Sequence, residues 1–214
     1  MSVSLKRLFD ILMSAFVLVV LSPLLLLLSV AIIIDSGFPV FFSQVRVGRG
    51  FRKFRLRKFR TMRTGLSGSL ITVAGDSRIT RLGRLLRNAK LDEVPQFWNV
   101  LCGEMSVVGP RPEVPEYVAL FQERYQRILA VRPGITDLAS IHFRNEEAVL
   151  AMSRDPLCDY RERVLPMKLD LADRYLQTRS FCGDFAIIAR TALIIARGSN
   201  ARIRCADSKT TFSQ

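Results

Sequence analysis

Histidine is scarce in this chain: His142 is the single copy among 214 residues. That argues against triad catalysis and against a histidine-ligated metal, and leaves His142 reading as a packed or surface side chain. The cysteines, Cys102, Cys158, Cys182 and Cys205, are scattered and form neither a CxxC pair nor a Cys/His cluster, so the spacing a structural zinc needs is missing. The chain is not a small cysteine-dense secreted domain either, and reduced thiols in a cytosolic setting are expected. Neither G-x-x-x-x-G-K-[ST] nor G-x-G-x-x-G occurs, so phosphate contacts have to come from side chains. Acid is missing over one long stretch. Between Asp35 and Asp76 there is no carboxylate, whereas Arg46, Arg49, Arg52, Lys53, Arg55, Arg57, Lys58, Arg60 and Arg63 all fall there.

What is present combines two tendencies that rarely coexist in a soluble protein. Hydrophobic residues make up 49% of the chain, and the formal net charge is +13. A partner that is both greasy and anionic suits both. The length allows one sizeable core and, once a membrane segment is subtracted, falls short of two ordinary domains.

From Leu8 to Ile34 the only polar side chains are Asp10, Ser14, Ser22 and Ser29. As one straight helix this run measures about 40 Å, enough to cross a bilayer. It is too long for the apolar region of a cleavable leader, and no clear cleavage site follows it. Near its middle stands Ser22-Pro23, where the proline ring and missing N–H predict a kink, with the Ser22 hydroxyl placed to satisfy a freed carbonyl. Lys6 and Arg7 precede the run and the nine cations follow it. Both flanks then prefer the cytoplasm, which a single crossing cannot satisfy and a dip-and-return path can. An ordinary kinked transmembrane helix is the plainer alternative.

Val40 to Val47, the turn signal Gly48-Arg49-Gly50 and Phe51 to Phe59 read as a basic β-hairpin. Its cations repel one another and call for an anionic counterpart. Thr64 to Gly75 reads as a flexible loop. Between Arg78 and Lys90, arginines 78, 81, 84 and 87 recur every three residues beside an apolar stripe, which predicts a basic amphipathic helix. Further helices are predicted over Glu116–Ala130, Glu146–Met152, Leu165–Leu176 and Phe185–Ala196, the last too short to span a bilayer. The predicted class is α+β, mainly helical with a small antiparallel β element. The expected division is a re-entrant membrane helix over 1–36, one folded domain over 37–198, and a polar, disordered tail over 199–214.

The chemistry centres on Asp92-Glu93, an adjacent acidic pair just after a run of arginines. Alone, such a pair is usually a solvated helix end. In this setting a carboxylate has an advantage as a nucleophile, because it is already ionised at neutral pH and needs no base. Its obstacle is repulsion from a phosphoryl group, which arginines and a divalent cation relieve. Arg87 and Lys90 precede the pair and Arg111 follows it, while Glu93, with Asp92, offers hard oxygen ligands suited to Mg2+.

At these residues the chain resembles a known family. KRLFDILMSAFVLVVLSPLLLL, PVFFSQVRVGRG, KFRTM, GDSRITRLGRLLR, LDEVPQFWNVLCGEMSVVGPRP and VRPGIT, in order from Lys6 to Thr136, are similar to successive motifs of the bacterial sugar transferases, the small monotopic phosphoglycosyl transferases. The resemblance implies that Asp92 attacks the β-phosphate of a UDP-sugar, releasing UMP and holding a phosphosugar, and that Glu93 is its dyad partner, associated with Mg2+ and the polyprenyl phosphate acceptor. It also implies that Ser22-Pro23 is the break of a re-entrant helix. Lys58, Arg87 and Arg111 match positions around the active site, and their charge marks them as phosphate contacts. Where many relatives read PGITGWAQVNGR this chain has PGITDLASIHFRN. Asp137 and His142-Phe143 depart from the pattern in the region expected to bear on sugar choice, and Arg144 still matches an arginine and is kept as an anion contact.

The resemblance places the protein at the bacterial inner membrane with its catalytic domain on the cytoplasmic face. The partners it implies are a UDP-sugar, polyprenyl phosphate and membrane lipid, with no nucleic acid, and a homodimer stays open. A membrane-tethered binder of nucleic acid or anionic lipid explains the basic hairpin equally well and leaves Asp92-Glu93 unexplained. An inactive scaffold of the same fold is a third alternative.

Overall fold

The computed structural model describes residues 3–63 and 71–197. The tail over 199–214 and the first part of the glycine-serine loop lie outside the described residues. Two helices open the chain, α1 (Val3–Val20) and α2 (Ser22–Ser36), followed by an antiparallel hairpin of β1 (Phe41–Val47) and β2 (Lys53–Phe59). Next come α3 (Arg81–Asn88), a 3-10 turn at Leu91–Glu93, α4 (Gln96–Leu101) and β3 (Ser106–Val108). Then follow α5 (Pro115–Leu120), α6 (Gln122–Ile128), β4 (Gly134–Thr136), α7 (Leu138–His142), α8 (Glu146–Ala151) and α9 (Pro156–Asp159). A π-helical turn at Tyr160–Val164 leads into α10 (Leu165–Thr178), and α11 (Phe181–Ala196) ends the described chain. The class is α+β and mostly helical, as the sequence predicts.

The apolar run is bent by 60° between α1 and α2, and among the described residues no single helix is long and apolar enough to cross a membrane. The cause is local. Pro23 cannot donate to the carbonyl four residues back, which is Val19 O, and Ser22 Oγ donates to that oxygen at 2.7 Å. Both feet of the bent pair are tied to the same body. On α1, Arg7 donates to Val100 O and Leu101 O at 2.6 and 2.9 Å, Lys6 pairs with Asp184, and Asp10, 2% exposed, accepts from Ser106 Oγ and Val107 N, both at 3.1 Å. Beyond α2, Arg60 grips Ser36 Oγ at 2.9 Å together with the carbonyls of Gly37 and Phe38.

In the hairpin the register pairs Phe41 with Phe59 and Val47 with Lys53. Strand alternation sends Phe54 and Leu56 into the main core with Val100, Met105, Val107, Tyr175 and Ile187. Phe59, on the opposite face, packs with Ile32 of α2 and Leu86 of α3. The C-terminal helix starts earlier than the apolar pattern indicated, because Ser180 caps it by accepting from Gly183 N at 3.0 Å. It packs on the core through Ile187 and leaves Phe185 and Leu193 exposed.

Two predicted elements come out differently, and one pairing was not predicted. The basic helix starts at Arg81 instead of Arg78: Thr80 Oγ1 accepts from Gly83 N at 2.9 Å as its cap, and Arg78 turns back to Asp76 at 2.6 Å. The helix predicted over Glu116–Ala130 is broken at Phe121 (φ −129°, ψ 42°), whose ring packs against two core clusters at once. The parallel pairing of β3 with β4 was not foreseen. Each strand has three residues, too few to show a period, and a Cβ on Gly134 would lie 2.1 Å from Gly109 N.

Gly83 sets how closely α3 approaches the end of the hairpin. A Cβ there would meet Thr61 O at 2.2 Å, and that atom is backbone. Gly83→Ala is expected to cost about 1–3 kcal/mol of stability through overpacking. Because it pushes α3 outward, turnover should fall too. Thermal unfolding and activity of the detergent-solubilised variant check both.

Candidate active site

The acidic pair sits where helix geometry is interrupted. After α3, Lys90 takes the left-handed conformation (φ 56°), uncommon for a residue with a side chain and frequent at functional sites. The 3-10 turn that follows buries both carboxylates, leaving Asp92 7% and Glu93 9% exposed. This is the opposite of a solvated helix end.

Glu93 is held by two cations from distant parts of the chain. Lys58 Nζ, from β2, lies 3.1 Å from Glu93 Oε1. Arg111 grips the carboxylate with both terminal nitrogens, at 2.6 Å to Oε1 and 3.3 Å to Oε2. Burial alone would raise the Glu93 carboxyl, but Arg111, Lys58 and Lys90 outweigh it and hold the group well below its ordinary value. Lys58 moves down, since burial disfavours its ammonium and Glu93 only partly offsets this.

Asp92 is treated differently. Burial, and then the charge of Glu93 beside it, push its carboxyl up against the pull of Lys58, Lys90 and Arg87. Among the described residues its Oδ1 is the one buried carboxylate oxygen without a hydrogen-bond partner. Two adjacent acids thus take divergent roles: Glu93 is neutralised in place, while Asp92 keeps an uncommitted oxygen in a cationic surround. A buried, unpartnered polar atom calls for an explanation, and an anionic or cationic ligand is one that fits this surround. Gln96 Nε2, one helical turn further on, is a second such atom and was not singled out from sequence.

The other predicted residues divide. Arg87 acts on Asp92 electrostatically and is itself oriented by Thr61 Oγ1 at 2.9 Å and by Glu147 Oε1 at 2.7 Å. Lys58, Arg87, Asp92, Glu93 and Arg111 therefore form one group. Arg144 is not brought into it: its guanidinium donates to Ile194 O near the end of α11. His142 is exposed and stands edge-on to Phe143. As metal ligands, Asp92 offers a free oxygen, whereas Glu93 keeps only the lone-pair direction of Oε2 that Arg111 leaves open. Among the described residues no three histidine, cysteine or carboxylate side chains gather around a common point.

Asp137, one of the departures from the family pattern, has a structural task. It is 3% exposed, its Oδ1 caps α7 by accepting from Ser140 N at 2.7 Å, and its Oδ2 accepts from Arg111 N at 3.1 Å. One carboxylate thus fixes both a helix start and the backbone of the arginine that grips Glu93. Asp137→Ala is expected to cost about 1–2 kcal/mol, as lost caps do. It should also loosen Arg111, so KM for an anionic substrate rises; thermal unfolding and steady-state kinetics check the two effects.

The described structure is a bent apolar helix pair footed on one small α+β body, with a buried carboxylate dyad caged by cations beside it. The chain belongs to the bacterial sugar transferase family, whose profile matches residues 1–198. It is 42% identical over 195 residues to an undecaprenyl-phosphate glucose phosphotransferase of Komagataeibacter xylinus, covering 87% of this chain and 35% of that protein. It is 36% identical over 210 residues to the UDP-glucose:undecaprenyl-phosphate glucose-1-phosphate transferase of Caulobacter vibrioides, covering 92% of this chain and 71% of that one. With the exopolysaccharide production protein PSS of Rhizobium leguminosarum bv. phaseoli it shares 46% identity over 151 residues, covering 66% and 75% of the two chains. The chain thus spans about a third of the length of the first of these relatives.

Proposed function

We propose that this protein transfers a sugar 1-phosphate from a UDP-sugar to undecaprenyl phosphate through a covalent phosphosugar on Asp92, the first membrane step of polysaccharide or glycoconjugate synthesis. The observation that carries this reading is the unpartnered, buried Asp92 Oδ1 beside a Glu93 already neutralised by Arg111 and Lys58. Glucose appears in the names of two of the three relatives described above, which makes UDP-glucose the first donor to try.

In the first half-reaction an Asp92 oxygen forms a bond to the β-phosphorus. The bond from that phosphorus to the bridging oxygen breaks, and UMP leaves with the electron pair. In the second, a phosphate oxygen of the acceptor attacks the same phosphorus, the bond to Asp92 breaks, and the carboxylate is restored. Arg87, Lys58 and Arg111 stabilise the charge that gathers on the phosphoryl oxygens. Glu93 fixes Lys58 and Arg111 so that they need not reorganise as that charge develops. Asp92 and the side of Glu93 Oε2 that Arg111 leaves open are hard oxygens, and they are the residues that would hold Mg2+. When bound, Mg2+ neutralises diphosphate charge.

The bent pair is read as re-entrant, entering and leaving by the cytoplasmic face of the inner membrane, with 37–198 as the catalytic domain. Two observations support this. Side chains near the bend face outward, with Phe16 64%, Val19 71%, Leu26 69% and Leu27 64% exposed, and both feet are bonded to one body. Pro23→Ala restores a donor to Val19 O and favours a straighter helix. Cysteine labelling from the cytoplasmic side should reach both ends of the segment in the native protein and only one end in molecules that the variant drives across. Labelling of the native ends from opposite sides would refute the re-entrant path.

The transfer is tested by UMP release from a panel of UDP-sugars with polyprenyl phosphate and Mg2+. Release that depends on donor identity is the expected result; a protein that only binds lipid or nucleic acid releases none.

A further inference from the structure

The cations of this chain divide by whether they find an acid. Lys6, Arg46, Lys58, Arg87 and Arg111 are each paired with a carboxylate inside the fold. Lys53, Arg55 and Arg57 of β2 are exposed, and among the described residues none of them meets a carboxylate. They alternate with Phe54 and Leu56, which are buried, so the pleat sets all three on one face of the hairpin, about 7 Å apart. Lys58 belongs to the opposite face, with Glu93. Across the hairpin their register partners are Val47, Val45 and Ser43, none of them charged. Three cations without an acid partner therefore stand side by side on this face.

The position of this ladder relative to the apolar helices selects its partner. Phe59, next on the same face, packs under α2 with Ile32, so the cations begin at the foot of the bent pair. Arg57 lies over the ring of Trp98, 5.9 Å from its centroid, and Trp98 is 48% exposed. Trp98 sits on α4, whose C-terminal carbonyls hold Arg7 at the foot of α1. Val45 and Phe41 add 42% and 52% exposed apolar side chains to the same face. A row of unpaired cations edged by an exposed tryptophan and apolar side chains suits the headgroup layer of a bilayer, where charge and ring each find their medium. We infer that this face of the hairpin seats anionic phospholipid headgroups; the inference rests on the re-entrant membrane reading.

Trp98 is the only tryptophan in the chain, so its fluorescence reports on this patch alone. The protein is reconstituted in phosphatidylcholine bilayers doped with equal mole fractions of acyl-brominated phosphatidylglycerol or acyl-brominated phosphatidylcholine. Expected is quenching of Trp98 by both, with the anionic lipid preferred several-fold, each cation contributing roughly a fivefold gain near the surface at most. In Lys53→Gln/Arg55→Gln/Arg57→Gln the preference should fall to near unity while brominated phosphatidylcholine still quenches. UMP release in detergent, unchanged from the native protein, confirms that the variant is folded. Should it not fold, raising the salt on the native protein provides the second measurement: the preference collapses, whereas quenching by the zwitterionic lipid persists. Equal quenching by the two lipids in the native protein, or a preference that survives the triple change or high salt, overturns the anionic-lipid assignment and leaves the membrane reading intact. No quenching by either lipid overturns both. An oligonucleotide that shifts Trp98 emission in detergent, without any lipid preference, puts nucleic acid on this face instead.

Discussion

Asp92→Asn is expected to lower UMP release by at least a thousandfold, on the order of what removing a covalent nucleophile costs, and at the same time to raise thermal stability. The first effect follows from the loss of the attacking oxyanion, since an amide cannot form the phosphosugar adduct. The second follows from the sign of the Asp92 shift. Burial and Glu93 raise its folded pKa above the ordinary value of 3.8, so at neutral pH the folded state bears an ionisation penalty that the unfolded chain does not. The penalty sets in above the ordinary value, grows up to the folded pKa and is constant beyond it. Asparagine keeps the shape and removes the charge. The variant should therefore melt higher than the native protein at pH 7, with the difference closing as pH falls toward 4. Asp92→Glu is the control: it keeps the charge and moves the carboxylate by one methylene, so turnover drops steeply without a gain in stability. Mass spectrometry of native protein incubated with a competent donor should show the phosphosugar on the peptide containing Asp92, and its absence would sink the mechanism. An asparagine variant that melts lower at pH 7 would show that Asp92 is not strained by burial.

The opposed demands on Asp92 and Glu93 explain which parts of this protein can be read from its sequence. Ser22-Pro23 announces both the bend and the hydroxyl that heals it, because Val19, Ser22 and Pro23 lie within one helical turn and the physics is local. The hairpin is legible for the same reason, since alternation and a glycine turn fix its register. Asp92-Glu93 stands out as acid amid arginine, yet nothing in the local sequence shows that Glu93 is spoken for and Asp92 is not. That division is made by Lys58, 35 residues earlier, and Arg111, 18 residues later. Asp137, which holds Arg111 across 26 residues, and Glu147, which holds Arg87 across 60, are likewise assigned by tertiary packing. The pairing of β3 with β4 rests on the close approach of Gly109 and Gly134, which no periodicity reveals. Arg144 matches a motif position, but α11 packs near enough to supply the carbonyl of Ile194.

Arg111→Met should show how far the dyad depends on being neutralised. Methionine preserves much of the apolar volume and removes both hydrogen bonds to Glu93, leaving Lys58 as its remaining contact. Removing one partner of a buried pair is strongly destabilising; with Lys58 still present, a loss of about 3 kcal/mol is expected, at the low end of the range for such pairs. Turnover should fall about 10²–10³-fold, because a preorganised charge opposite the phosphoryl oxygens is gone. The pH dependence separates the electrostatic part from simple loss of packing. In the native protein the Glu93 carboxyl is held well below its ordinary value of 4.5, so it contributes stability above that value and loses it as pH falls through the folded pKa. Without Arg111 that contribution is smaller at every pH where the unfolded carboxyl is ionised. The gap between the melting temperatures of variant and native protein is thus widest near neutrality and narrows below about pH 4, as both forms of Glu93 become protonated. A gap that fails to narrow as pH is lowered below 4 would mean that Arg111 acts through packing alone, and the neutralised state assigned to Glu93 would have to come from Lys58.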